Sequence, residues 1–134
     1  MDVITKGNYV DKAEEVIQQL ISDATRIEKN PGNYKIVTTS QIRNQLAMTA
    51  EMYSQAANSG ENRLSDEILD NIEYLRIRFA YQAGREKLVK KFIEKAEILR
   101  ILKTIDGSKA DFLTFCRYME ALVAFRKYYG NKDE

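Results

Sequence analysis

Residues 74–92 read YLRIRFAYQAGREKLVKKF, and the path of the chain past Gly84, in the middle of this stretch, decides the fold. Before the glycine, Leu64, Ile68, Ile72, Leu75, Phe79 and Ala83 form an apolar stripe at helical spacing. Beyond it, Val89, Phe92, Ile93, Ala96 and Leu99 resume the stripe out of step by about one residue. Either a turn separates two helices here or one kinked helix continues. An isolated glycine costs a helix only ~1 kcal/mol, and no proline enforces a stop. An unbroken helix over 65–104 would be about 60 Å long and would need a partner chain to cover it. The slip favours a break or sharp kink.

The same stretch opens a charge asymmetry that the total conceals. The chain carries 21 Lys and Arg against 20 Asp and Glu, a net of +1. Residues 76–109 hold ten basic side chains (Arg76, Arg78, Arg85, Lys87, Lys90, Lys91, Lys95, Arg100, Lys103, Lys109) against four acidic ones (Glu86, Glu94, Glu97, Asp106), a local net of +6. Residues 61–74 hold Glu61, Asp66, Glu67, Asp70 and Glu73 against Arg63 alone, a local net of −4. Such segregation points to a surface that faces a polyanion.

Length and composition predict one all-α domain over residues 1–134. That length is enough for one real core and too short for two ordinary domains. Hydrophobic residues make up 44% and charged residues 31%, a folded, water-compatible balance. With one proline and six glycines, little interrupts the helix formers Ala, Leu, Ile, Glu, Lys and Gln. No apolar run is long enough for a bilayer, and no signal-peptide pattern opens the chain, so the expected compartment is the cytoplasm. The single cysteine, Cys116, cannot form an internal disulfide, which fits a reducing compartment.

A compact bundle of about five helices follows from the breakers. Helix 1 is predicted over 10–28, with Tyr9, Ala13, Val16, Ile17, Leu20, Ile21, Ala24 and Ile27 on one face. The turn cluster at 30–33 and a loop to Val37 follow. Thr38 and Gln41 then offer a capping box for a second helix, whose stripe is read as Ile42, Leu46, Thr49, Ala50, Tyr53 and Ala57. After a second breaker at 58–62, Ser65 caps the third helix, with Asp66 and Glu67 in its first turn and Leu64 and Leu69 placed for a staple. Asp106, Gly107 and Ser108 form the last breaker, where Ser108 and Asp111 imitate a capping box. In the final helix Phe112, Phe115, Cys116, Met119, Leu122 and Val123 form one stripe and Tyr118, Ala121, Phe125 and Tyr128 another. Apolar residues on two sides make it either the central helix of the bundle or a core helix with a subunit interface.

Histidine is absent, which removes imidazole acid/base catalysis, His-based metal sites and Ser-His or Cys-His nucleophiles. Asp66, Asp70 and Glu73 share a helix face, yet the helix dipole and ordinary solvation account for them, and no calcium-loop motif supports a metal. No phosphate loop, CxxC pair or nucleophile elbow occurs. Neither a cofactor nor an enzymatic activity is expected. The basic residues are the remaining constellation. Arginine forks bind paired phosphate oxygens, and lysine neutralises them without reading sequence. Arg43, in the first turn of the second helix, opposes the dipole unless an anion visits the amides there. On charge alone, a solvated helix face laced with Glu86, Glu94 and Glu97 is the simpler reading.

Four segments carry a resemblance: YVDKAE (9–14), TTSQIR (38–43), YLRIRFAYQAGR (74–85) and YMEALVAFRKYYG (118–130). Together they resemble the small subunit of the type III-A (Csm) CRISPR effector complex, over nearly the whole chain. That family often has a histidine at the position of Arg126, a change that keeps a positive group. The resemblance implies an all-helical, non-catalytic subunit, present with further copies of itself in a row beside the large Cas10-type subunit. Guide RNA and target RNA would lie in the channel between that row and the backbone subunits, and no membrane is involved. Carried over by position, Arg43, Arg76, Arg78, Arg85, Lys91, Arg126 and Lys127 are expected to face RNA. Arg78 and Arg85 have an alternative as partners of the acidic start of the third helix or of a neighbouring copy.

Overall fold

The computed structural model describes residues 3–28 and 34–131. The turn cluster at 30–33 lies outside them. Among the described residues there are six helices and no strand: α1 (Tyr9–Glu28), α2 (Thr39–Asn58), α3 (Asp66–Arg85), α4 (Lys87–Lys95), α5 (Ile98–Thr104) and α6 (Lys109–Tyr129). The fold is all-α, as the composition requires.

The predicted caps start their helices. Thr38 accepts from the Gln41 amide at 3.0 Å while the Gln41 side chain accepts from the Thr38 amide at 2.9 Å, which satisfies two orphan donors. Ser65 accepts from Ile68 N at 3.2 Å and Ser108 from Asp111 N at 3.2 Å. The two loops bracketing α3–α5 are stitched together, with Leu64 N donating to Gly107 O at 2.8 Å and Lys109 N to Asn62 O at 3.1 Å. Gly107 turns there at φ 82, a left-handed conformation that favours glycine, and the Arg63 guanidinium packs against its open side.

The break that the slipped stripe predicted falls at Glu86, two residues past Gly84. Gly84 itself is helical, inside the last turn of α3. Glu86 is extended (φ −128, ψ 115) and both closes α3 and opens α4. One non-helical residue shifts the phase of the stripe, so Ile68, Ile72, Leu75 and Phe79 before it and Val89, Phe92 and Ile93 after it reach the same core. The long continuous helix does not form.

A further break separates α4 from α5 at Glu97, the one described non-glycine residue with positive φ (58). Glutamate is a good helix former, so the sequence carries no stop signal here. The backbone turns because Phe92, Ile93, Ala96 and Ile98 are all at or below 2% exposure. Burying such side chains is worth roughly 1.5–3 kcal/mol for each large one, which outweighs the ~1–2 kcal/mol of a left-handed residue.

α6 runs through the centre, packed by α1 on one side and α2 on another. That accounts for the first apolar stripe, whose Phe112, Phe115, Cys116, Met119 and Leu122 are buried; of the second, Tyr118 is buried, Ala121 and Phe125 are partly buried and Tyr128 is 77% exposed. The Tyr118 hydroxyl donates to Ala96 O at 2.9 Å, and burial pushes its pKa up. The stripe read for α2 is corrected by about one residue. Ile42, Gln45, Thr49, Met52 and Ala56 are buried, Leu46 and Tyr53 only partly, and Ala50 and Ala57 lie outside. Thr49 is buried as read, but the polar Gln45 disguised the buried line, since a hydropathy pattern counts it as surface.

Candidate nucleic-acid interface

Of the seven residues expected to face RNA, Arg126 does not. It is 2% exposed, and its guanidinium donates to Val37 O at 2.7 Å, Asn131 O at 3.1 Å and Asn131 Oδ1 at 3.3 Å. Tyr34 joins the same knot, with its hydroxyl accepting from Asn131 N at 2.6 Å. A planar donor fork suits several acceptors at once, and here it ties the end of α6 to the segment entering α2. The role is structural.

The other six lie at the surface but do not form one patch. Arg76 is half-buried and paired with Glu73 at 2.8 Å. Arg78 is two residues on, so at about 100° per residue it lies on the opposite flank of α3, exposed at the rim of the cleft against α2 beside Gln45 and Gln82. Arg85 is exposed in the last turn of α3, with its Cζ 5.6 Å from the Tyr81 ring centroid. Lys91 borders a different groove, between α1 and α4, where the neighbouring Lys95 pairs with Asp23 at 3.2 Å. Arg43 is exposed on α2 and Lys127 near the end of α6.

Ion pairs therefore divide the basic set. Among the described residues, pairing occupies Arg26, Arg76, Lys95 and Arg100, whereas Arg43, Arg78, Arg85, Lys87, Lys90, Lys91 and Lys127 make no ion pair with another described residue. The acidic start of α3 does not hold Arg78 or Arg85. Those two share the outer face of α3 with Tyr74, Ile77 and Tyr81, which are 60%, 63% and 63% exposed. The aromatic component was missed in the sequence, although its signal was there: 74, 77 and 81 are spaced three and four apart, off the core stripe.

No group of His, Cys, Asp and Glu able to hold a metal occurs among the described residues, so Asp66, Asp70 and Glu73 do not converge on one. Cys116 is 2% exposed; burial pushes its thiol from 9.0 to about 12, opposed by a hydrogen bond with Thr49 and assisted by Glu120. Such a thiol is a small hydrophobe, not a nucleophile. No described helix is long and apolar enough to cross a membrane.

The described residues form an all-α fold with exposed arginines on the outer face of α3, and comparison with known proteins supplies the family. Residues 14–132 match the family model Csm2 Type III-A. The chain is 47% identical over 133 residues to the "CRISPR system Cms protein Csm2" of Streptococcus thermophilus, covering 99% of this chain and 100% of the relative. It is 38% identical over 131 residues to the protein of that name from Mycobacterium tuberculosis (strain H37Rv), with 98% of each covered. The Enterococcus italicus protein of that name is 36% identical over 123 residues, covering 87% of this chain and 88% of the relative. The chain belongs to the Csm2 family, the small subunit of type III-A CRISPR effector complexes.

Proposed function

We propose that this chain is a single helical domain acting as a non-catalytic, RNA-contacting subunit of a cytoplasmic type III-A effector, holding target and guide RNA while other subunits, including a large Cas10-type one, carry out cleavage. It stands in more than one copy, so that each copy contributes a short basic surface to a longer track. The observation that carries this reading is the set of exposed cations without acidic partners, above all Arg78 and Arg85 on one face of α3. A face meant only for solvation is laced with i, i+3 and i, i+4 pairs, as Arg76 and Arg100 are. Cations left open are available to phosphate.

Of the positions carried over from the family, Arg43, Arg78, Arg85, Lys91 and Lys127 are retained as phosphate contacts. Arg76 reaches RNA only by exchanging Glu73 for phosphate, a small cost at an exposed pair. Titrating the chain with single-stranded RNA across a salt series tests the reading. Affinity falling steeply with salt, with little sequence preference, supports it. Salt-independent or absent binding would leave a helical adaptor without RNA contact.

A further inference from the structure

The outer face of α3 repeats a unit. Tyr74 is followed four residues later by Arg78, and Tyr81 by Arg85, so each tyrosine and its arginine share one side of the helix. In the second unit the contact is made, the Arg85 Cζ standing 5.6 Å from the Tyr81 ring centroid. The two units are seven residues apart, roughly 10.5 Å along the axis, with the exposed Ile77 between them. The core does not require these side chains, because Ile68, Ile72, Leu75 and Phe79 already fill the inward face. Scattered exposed apolar residues need no explanation, but three in a row on one helix face do.

We propose that this face is a stacking platform for unpaired bases of single-stranded RNA, each tyrosine taking a base against its ring while the following arginine meets an adjacent phosphate. The inference rests on the RNA-binding reading above and adds that bases, not phosphates alone, are held. Charge selects the occupant. Arg78 and Arg85 lack acidic partners, and Lys87 and Lys90 continue the positive field past Glu86. Asp66, Glu67 and Asp70 in the first two turns repel a polyanion from the other end, which confines the strand to the second half of α3. A protein packed here would meet one aliphatic side chain, Ile77, and would have to desolvate two arginines, a costly exchange. Duplex RNA keeps its bases inside the helix and cannot offer them, so single strands are preferred.

Fluorescence anisotropy of the full chain with a labelled single-stranded oligopyrimidine, its abasic counterpart and its duplex tests this, using wild type, Tyr81→Phe, Tyr81→Leu and Tyr74→Leu. Wild type and Tyr81→Phe should bind the single strand alike, each leucine variant should lose about tenfold, and the abasic and duplex forms should bind wild type correspondingly weakly. Equal binding of abasic and intact RNA, or unchanged leucine variants while Arg78→Glu still weakens binding, overturns the platform and leaves the phosphate reading standing. Leucine variants that leave RNA affinity unchanged and dissociate an oligomer in light scattering assign the face to protein contact and overturn it too. Absence of RNA binding by wild type at low salt overturns both.

Discussion

Arg126 Nε donates to the carbonyl of Val37 at 2.7 Å across 89 positions of sequence, joining the end of α6 to the strand of chain that leads into α2. The guanidinium is buried, so the bond works in a low dielectric with no water to replace it. Arg126→Met should therefore destabilise the chain by roughly 3 kcal/mol or more, since it leaves the Val37 carbonyl unsatisfied and removes several charge-assisted bonds. Urea denaturation measures this. Salt-dependent RNA affinity of the remaining folded protein should be unchanged, and a variant that folds normally but binds RNA poorly would return Arg126 to the interface.

Glu97 should gain from replacement by glycine. Its φ of 58 costs an L side chain ~1–2 kcal/mol, while the pair with Arg100 is exposed and contributes little. Glu97→Gly should raise the unfolding free energy by about 0.5–1 kcal/mol after the entropy that glycine adds to the unfolded chain, and Glu97→Val should lower it. Thermal melts of the two variants should move in opposite directions.

Gly84→Ala should stabilise the chain, because the position is helical and nothing lies within 4 Å of an added Cβ. Alanine is worth up to ~1 kcal/mol over glycine in a helix, less in the last turn. A melting temperature lowered by this substitution would mean that the break lies at Gly84 and not at Glu86.

Alkaline stability should follow the Cys116 thiol. Its folded value, about 12, lies above the ordinary 9.0, so above pH 9 the unfolded chain ionises there and the folded chain does not. Stability from this group is complete below pH 9 and is lost progressively up to pH 12, by at most about 1.4 kcal/mol per pH unit. Cys116→Ala should flatten that part of the decline, leaving the portion due to buried Tyr118. In the native protein a thiol reagent should modify Cys116 only as fast as the structure opens.

Much of the fold was legible because local chemistry and tertiary packing agree. The caps at Thr38, Ser65 and Ser108 and the stripe from Leu64 to Phe79 announce themselves by residue type and spacing. The break between α4 and α5 was not legible, since Glu97 has no turn signature and is turned by the packing around it. The burial of Gln45 hid the true face of α2 for a related reason: its position is decided by where α6 lies. At the candidate site the basic residues could be read but not their roles, because a buried structural arginine such as Arg126 and an exposed one such as Arg85 are the same letter. The tyrosines at 74 and 81 stand off the core stripe in the sequence itself, but that no other element covers them is decided by the packing around α3.

Whether the second half of α3 meets RNA is most directly measured by photocrosslinking the assembled effector complex loaded with target RNA that carries photoreactive bases, and mapping the crosslinked peptides. Crosslinks within residues 74–91 of this chain, reduced by Arg78→Glu and Arg85→Glu, are the predicted result. RNA crosslinked to every other subunit but not to this one would contradict it.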